Sequence, residues 1–146
     1  MSNNEKEFFR ITEGKLYSYN RTKAEIEYLN LEIEEIQNEY KGLESISYEE
    51  RTGKTYNITS SVENEIINKE KDIYKKNKEK NKKNIAIKKI DNALTILTEE
   101  ELKLVEMRYF NNKTLTWETI GRFIGVTVSR CKQIRVEIID KIKDLV

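Results

Sequence analysis

The chain has 146 residues, of which 37% are hydrophobic and 36% are charged, and its formal net charge is +1. This composition supports one small core and amphipathic helices rather than a large globule. A single cysteine and no histidine exclude an internal disulfide framework and a cysteine-rich zinc site, and the commonest general base is missing. We therefore predict no catalytic residue, no metal site, no cofactor and no enzymatic activity.

The sequence favours α-helix along its whole length. It contains no proline and only five glycines, and it has none of the short alternating runs of Val, Thr and aromatic residues that are typical of strands. No apolar run approaches the roughly 20 residues of a membrane span. The N-terminal Met-Ser-Asn-Asn-Glu lacks the features of a signal peptide. We predict an all-α, cytoplasmic protein with no membrane partner.

A first long helix is predicted near residues 15–43, after Gly14. Its apolar residues alternate at intervals of three and four, a heptad seam formed by Ile26, Leu29, Ile33, Ile36, Tyr40 and Leu43. Two interpretations stay open: the seam packs on its own chain, or it joins two copies in a homodimer through the N-terminal helices. Residues 44–60, which include Gly53, predict an extended loop.

A second long helix is predicted over residues 61–97, with Ser60 or Ser61 as its N-cap. The residues spaced by three and four along this helix form a seam that has apolar side chains at both ends and lysines in the middle. Residues 71–89 contain nine lysines and two acids. This segment is either a solvated span of helix or a stripe that contacts phosphates. Residues 1–97 are thus predicted as an elongated helical hairpin or coiled coil and as the candidate oligomerisation region.

The charge of the chain is divided unevenly between its two parts. Residues 1–66 carry a net charge of −6, whereas residues 67–146 carry +7. A polyanionic partner is therefore expected to meet the second part and not the first. This second part contains a predicted third helix near residues 98–110, where Thr98 and Glu101 have the spacing of a capping box.

Two short helices separated by a glycine turn are predicted next. Thr116 and Thr127 are suitable N-caps, Gly121 allows a close helix crossing, and Gly125 permits the positive φ of a tight turn. The inner face of the second helix is formed by Cys131, Ile134, Ile138 and Ile142. A buried crossing, a short turn and a second helix with a polar outer face make a helix-turn-helix. Residues 98–146 are therefore predicted as a helix-turn-helix DNA-binding domain.

The outer face of the second helix supplies the candidate DNA contacts. Residues near its start are predicted to meet base edges: Val128, Ser129, Lys132 and Gln133. Flanking residues are predicted to contact the DNA backbone: Lys113, Arg122, Thr127, Arg130 and Arg135. The alternative is an ordinary helical hairpin within a bundle, which would give the Lys, Gln and Arg side chains no task.

The motif of this segment is similar to a known family. Thr-Trp-Glu-Thr-Ile-Gly at 116–121, Gly-Val-Thr at 125–127 and Gln-Ile at 133–134 resemble region 4 of bacterial sigma factors. The resemblance implies a helix-turn-helix that reads promoter DNA and places the base-reading positions at the four residues named above. Val128 departs from the family, which commonly has arginine there, so the standard −35 element is not the expected target.

Short segments along the chain match a second family. Ser-Ser-Val-Glu-Asn-Glu at 60–65, Arg-Tyr-Phe at 108–110 and Thr-Trp-Glu at 116–118 are similar to ArpU/RinA-type phage regulators of late gene transcription. The resemblance implies a transcriptional regulator that binds double-stranded DNA, either as a repressor or as an activator that contacts RNA polymerase. The alternative function is a phage small terminase-like DNA-packaging subunit, which also joins a helix-turn-helix to an oligomerising helical hairpin.

Overall fold

The computed structural model describes the backbone of residues 1–49 and 56–146 and the side chains of residues 1–42 and 61–146. Within these residues the chain forms helices and no strand, which confirms the all-α class. The helices are α1 (Asn3–Tyr17), α2 (Tyr19–Glu49), α3 (Tyr56–Leu94), α4 (Glu99–Val105), α5 (Trp117–Ile124) and α6 (Val128–Ile142), and a π-helical turn (Glu106–Phe110) follows α4. No helix in the described part is long and apolar enough to cross a membrane.

The first helix begins earlier than predicted and is an element of its own. α1 starts directly after Ser2 because Ser2 and Glu5 form a capping box, in which each side chain accepts the backbone N–H of the other residue. Gly14 lies inside α1, and the helix ends only before Ser18. The predicted start at residue 15 is therefore wrong, although the Ser-x-x-Glu signal is present in the sequence.

The helices on either side of the predicted loop are longer than expected. α2 continues to Glu49 and α3 begins at Tyr56, so both ends of that loop are helical, and the predicted N-caps Ser60 and Ser61 lie within α3. With no proline to stop them, the helices extend, because an interior glycine costs a helix only about 1 kcal/mol. The rest of the predicted loop, residues 50–55, lies outside the described residues.

The chain divides into two compact units, and this division differs from the predicted boundary after residue 97. Unit 1 combines Met1–Lys23 with Ile85–Val146, and unit 2 is Ala24–Asn84. α1 belongs to unit 1 because it packs against α6 and the π-helical turn. The C-terminal end of α3 also belongs there, since its Ile90 and Ala93 are buried in the core that α6 completes.

The core of unit 1 joins residues that are distant in sequence. Its buried apolar side chains come from α1, α3, α4, the π-helical turn, α5 and α6: Leu16, Ile90, Ala93, Leu104, Val105, Tyr109, Ile120, Cys131, Ile134, Ile138, Ile139 and Ile142. At its edge, the predicted capping box of α4 is confirmed, because Thr98 accepts the N–H of Glu101 at 3.3 Å and Glu101 accepts the N–H of Thr98 at 2.9 Å. Glu101 also accepts from Lys141 Nζ at 2.6 Å, which connects α4 to α6.

In unit 2, α2 and α3 lie antiparallel and are connected by ion pairs at heptad spacing, which we call the ion-pair ladder. Its members are Glu25–Lys83 at 2.8 Å, Glu32–Lys76 at 2.8 Å, and Glu39–Lys69. Each step of seven residues forward along α2 is matched by a step of seven backward along α3. The ladder therefore fixes the register in which the two helices pair.

The ladder accounts for three lysines of the seam and leaves both interpretations open for the other lysines of residues 71–89. Lys69, Lys76 and Lys83 are neither a solvated span nor free for phosphates, because each one binds a glutamate of α2. Partly exposed ion pairs of this kind add little net stability, so their main effect is on pairing specificity. Of the predicted α2 seam, Leu29 and Ile33 are buried, Ile26, Ile36 and Tyr40 are half-buried, and the side chain of Leu43 lies outside the described residues. A homodimer through this seam stays a prediction.

Candidate nucleic-acid interface

α5 and α6 are joined by a three-residue turn that local sequence signals define. Thr116 caps α5 by accepting the N–H of Thr119 at 3.3 Å, and Thr127 caps α6 by accepting the N–H of Arg130 at 3.2 Å. Gly125 ends α5 with a φ of 83°, in the left-handed region that favours glycine. These contacts confirm the predicted caps and the predicted turn glycine.

The two helices cross closely at Gly121. A Cβ atom at this position would lie 2.7 Å from the backbone oxygen of Val126 and 3.6 Å from Cys131 Sγ. The Gly121 carbonyl also accepts the N–H groups of Gly125 at 2.8 Å and Val126 at 2.9 Å. The predicted close crossing is confirmed, and it holds α6 at a fixed position against α5.

Burial of one side of α6 determines which residues face outward. The predicted inner face is confirmed, because its four apolar side chains are almost completely inaccessible: Cys131, Ile134, Ile138 and Ile142. Ser129 and Gln133 lie about 160° around the helix from Cys131, and both are exposed, as is Lys132. Val128, the fourth predicted base-reading residue, is half-buried. The structure thus places three polar residues together on the open side of the first two turns.

The predicted backbone-contacting residues differ in how available they are. Lys113 and Arg122 are exposed. The Arg130 guanidinium binds Glu137 two turns further along α6, with Nη1 donating to Oε1 at 2.8 Å, and this contact raises the pKa of Arg130. The Thr127 hydroxyl accepts a backbone N–H as the cap of α6. Lys113 and Arg122 are therefore the cations best placed to bind a further partner.

Arg135 is engaged within unit 1, unlike the other predicted backbone contacts. Its Nε and Nη2 donate to the two carboxylate oxygens of Glu13, each at 2.6 Å. Tyr109 donates to the same carboxylate at 2.7 Å, and the guanidinium lies 4.9 Å from the centre of the Phe9 ring. This geometry places Arg135 against α1 and not on the outer face of α6. The sequence contains the signal, because Arg135 is four residues after Cys131 and so shares its face of the helix.

Trp117 is part of the same internal assembly. It is half-buried, and the guanidinium carbon of Arg108 lies 4.4 Å from the centre of its ring. Arg108 also donates to the backbone oxygen of Leu115 at 2.6 Å and to the hydroxyl of Tyr17 at 3.2 Å. These contacts pack Trp117 against the protein, so its ring is not an open surface for base stacking. Sequence reasoning missed the contacts of Glu13 with Arg135 and of Arg108 with Tyr17, because these partners are 122 and 91 positions apart along the chain.

The carboxylates of Glu13 and Glu101 should make the stability of unit 1 depend on acidic pH. Burial by itself raises the pKa of each group, but hydrogen bonds outweigh burial and hold the pKa below its ordinary value of 4.5. Glu13 accepts these hydrogen bonds from Arg135 and Tyr109, and Glu101 accepts them from Lys141 and Thr98. A lowered pKa in the folded state means that the stabilisation is complete above about pH 4.5 and is lost as the pH falls below that value.

Glu13→Gln should lower the free energy of unfolding at pH 7 by about 1–3 kcal/mol, because Arg135 loses its charged partner, and should also reduce the loss of stability at acidic pH. Urea denaturation between pH 3.5 and 7, followed by the fluorescence of Trp117, the single tryptophan, measures both effects. Glu7→Gln changes an exposed acid of the same helix and should match the unaltered protein. Identical pH profiles for Glu13→Gln and the unaltered protein would contradict this role for Glu13.

In unit 1 of this all-α protein, two capped helices joined by a glycine turn pack on a common core. The family model described as "Protein of unknown function (DUF722)" matches residues 12–144 of the chain. The chain therefore belongs to this family. No curated protein and no solved structure matches the chain.

Proposed function

We propose that the protein binds double-stranded DNA in a sequence-specific manner through α5 and α6 and acts as a transcriptional regulator. The observation that carries the proposal is the pairing of two features of α6. One side of the helix is fixed by burial against α5 at Gly121, and the opposite side presents Ser129, Lys132 and Gln133. A helix held in this way and open at its N-terminal turns suits insertion into the major groove.

The charge along α6 supports the same orientation. Residues 128–136 contain no acid, and Lys132 is their exposed cation, whereas Arg130 is bound to Glu137 and Arg135 to Glu13. The acids Glu137 and Asp140 follow in the later turns. The N-terminal end of a helix also carries partial positive charge, which favours phosphate nearby. Only the first two turns of α6 therefore suit a polyanion, and these are the turns whose outer face is polar and exposed.

The proposed contacts fall into two groups. Lys132 can donate to guanine acceptors, Gln133 can both donate to and accept from adenine, and Ser129 can pair with several bases. Arg122 and Lys113 are assigned to phosphates, which fixes the position of α6 without reading sequence. Arg130 shares its charge with Glu137, and Arg135 is assigned to Glu13 within the protein.

Two finer parts of the proposal rest on the sequence resemblance alone. These are regulation of phage late genes and contact with RNA polymerase, whereas the cytoplasmic location stays a prediction from other features of the sequence. A homodimer also remains a prediction.

Selection from a pool of random duplexes tests the proposal directly. The full chain should enrich duplexes that share one short motif, because a fixed recognition helix favours particular base edges. Enrichment without any common motif, or no binding to duplexes at low salt, would contradict sequence-specific recognition. The molar mass in solution then separates the alternatives, since a regulator should be a monomer or dimer, whereas a ring of eight or more subunits would favour a DNA-packaging subunit.

A further inference from the structure

The lysines of α3 belong to two groups that differ in position on the helix. The ladder lysines face α2 and bind its glutamates. The second group is exposed, follows a spacing of four, three and four residues, and consists of Lys71, Lys75, Lys78 and Lys82. We call this second group the lysine face. At 100° per residue it covers an arc of about 60°, roughly 130° around the helix from the ladder lysines.

The lysine face is strongly and uniformly basic. None of its four ammonium groups lies within ion-pair distance of a carboxylate among the described residues. The two acids between residues 71 and 82, Asp72 and Glu79, point about 70–90° away from its centre. Four positive charges thus line about 17 Å of helix, and Asp72 and Glu79, which are three or four residues from Lys75 and Lys82, offset them only in part.

We propose that the lysine face binds the phosphate backbone of duplex DNA as a second contact, in addition to the α5–α6 unit. Duplex DNA presents one negative charge about every 1.7 Å along its axis, so it can meet all four lysines at once without regard to sequence. The proposal rests on the proposed function only in its choice of DNA as the partner. It assigns to unit 2 a task that sequence recognition by α6 does not require.

An anionic membrane is the competing polyanion, and the structure of α3 disfavours it. A helix that lies on a membrane inserts a broad apolar face between the lipids. The apolar seam of α3, which includes Ile66 and Ile73, is instead half-buried against α2. Near the lysine face the exposed apolar or aromatic side chains are Ile67, Tyr74 and Ile85. Three separated side chains are too few to form the broad apolar face that anchors a helix in lipid.

The test is the salt dependence of DNA binding by the full chain. Lys71→Gln/Lys78→Gln and Lys75→Gln/Lys82→Gln each remove two charges and keep a good helix former. Each double variant should reduce the slope of log affinity against log salt by about 2, because each duplex phosphate contact contributes about 0.9. Between 50 and 200 mM salt, the unaltered chain should then lose on the order of tenfold more affinity than either variant. The change should be equal on the selected motif and on a scrambled duplex.

A matched control separates a local contact from an effect of net charge. Lys6→Gln/Arg10→Gln also removes two exposed charges, from α1, and should keep the original slope. An unchanged slope in both lysine-face variants, or the same change in the control, would overturn the proposal. Loss of binding to vesicles of anionic phospholipid with unaltered DNA binding would assign the lysine face to a membrane and would overturn it as well.

The two proposals fail in different ways. If the unaltered chain selects a motif but the lysine-face variants keep its salt slope, the lysine face is wrong and the function of α6 stands. If the chain binds all duplexes alike and the variants lower the slope, sequence recognition is wrong and the lysine face stands. If the chain binds no duplex, both are wrong.

Discussion

Gly121→Ala should destabilise unit 1 by about 1–3 kcal/mol, because overpacking of a tight crossing forces the backbone apart. The new Cβ would lie 2.7 Å from the backbone oxygen of Val126, a distance that a side-chain rotation cannot relieve. The same shift would move α6 against α5, so we also expect weaker DNA binding by the protein that remains folded. Urea denaturation followed by Trp117 fluorescence measures the stability, since this tryptophan is the first residue of α5.

Gly14→Ala is the matched control for the glycine substitution. Gly14 lies inside α1 of the same unit, and a Cβ there would meet nothing within 4 Å. The added methyl group should therefore stabilise the helix by about 0.5–1 kcal/mol, since alanine loses less backbone entropy than glycine. Equal effects of the two substitutions, in either direction, would mean that the close crossing does not limit the packing of unit 1.

Gln133→Ala and Arg122→Ala should weaken DNA binding in different ways. Gln133→Ala should cost about 1–3 kcal/mol on the preferred site and relax the preference at one base pair, because a base-edge contact is lost. Arg122→Ala should weaken binding to all duplexes alike and reduce the salt slope by about 1, because a phosphate contact is lost. Titrations on the selected and a scrambled duplex at two salt concentrations distinguish these outcomes.

Lys103→Ala provides the control for this comparison, because it removes an exposed charge from α4 and should leave both affinity and preference unchanged. If Gln133→Ala and Arg122→Ala lose the same affinity on every duplex, the base-reading assignment is wrong. α6 would then bind DNA only through its charge.

Features encoded by neighbouring residues could be predicted from the sequence. The caps at Thr98, Thr116 and Thr127 and the turn at Gly125 depend on side chains within a few positions of one another, and the structure confirms each of them. The inner face of α6 was also predictable, because helical spacing alone defines it.

Features that depend on distant partners could not be predicted in the same way. Glu13 and Arg135 bind each other across 122 positions, so no local pattern shows that α1 completes the unit that contains α6. For this reason the predicted boundary after residue 97 differs from the division into compact units. The ion-pair ladder could be predicted only in part. The heptad spacing of its glutamates and of its lysines is visible in the sequence, but which glutamate binds which lysine depends on the antiparallel register of the two helices.

The ladder also restricts how the length of the α2–α3 hairpin can change during evolution or in design. One residue added to either helix would turn everything beyond it by about 100° and move the charged side chains out of the interface. Seven residues added to both helices would instead preserve every ion pair and extend the hairpin by about 10 Å. Homologues of different length should therefore have both helices longer or shorter by the same multiple of seven residues. The hairpin can then act as a spacer whose length changes only in steps of about 10 Å.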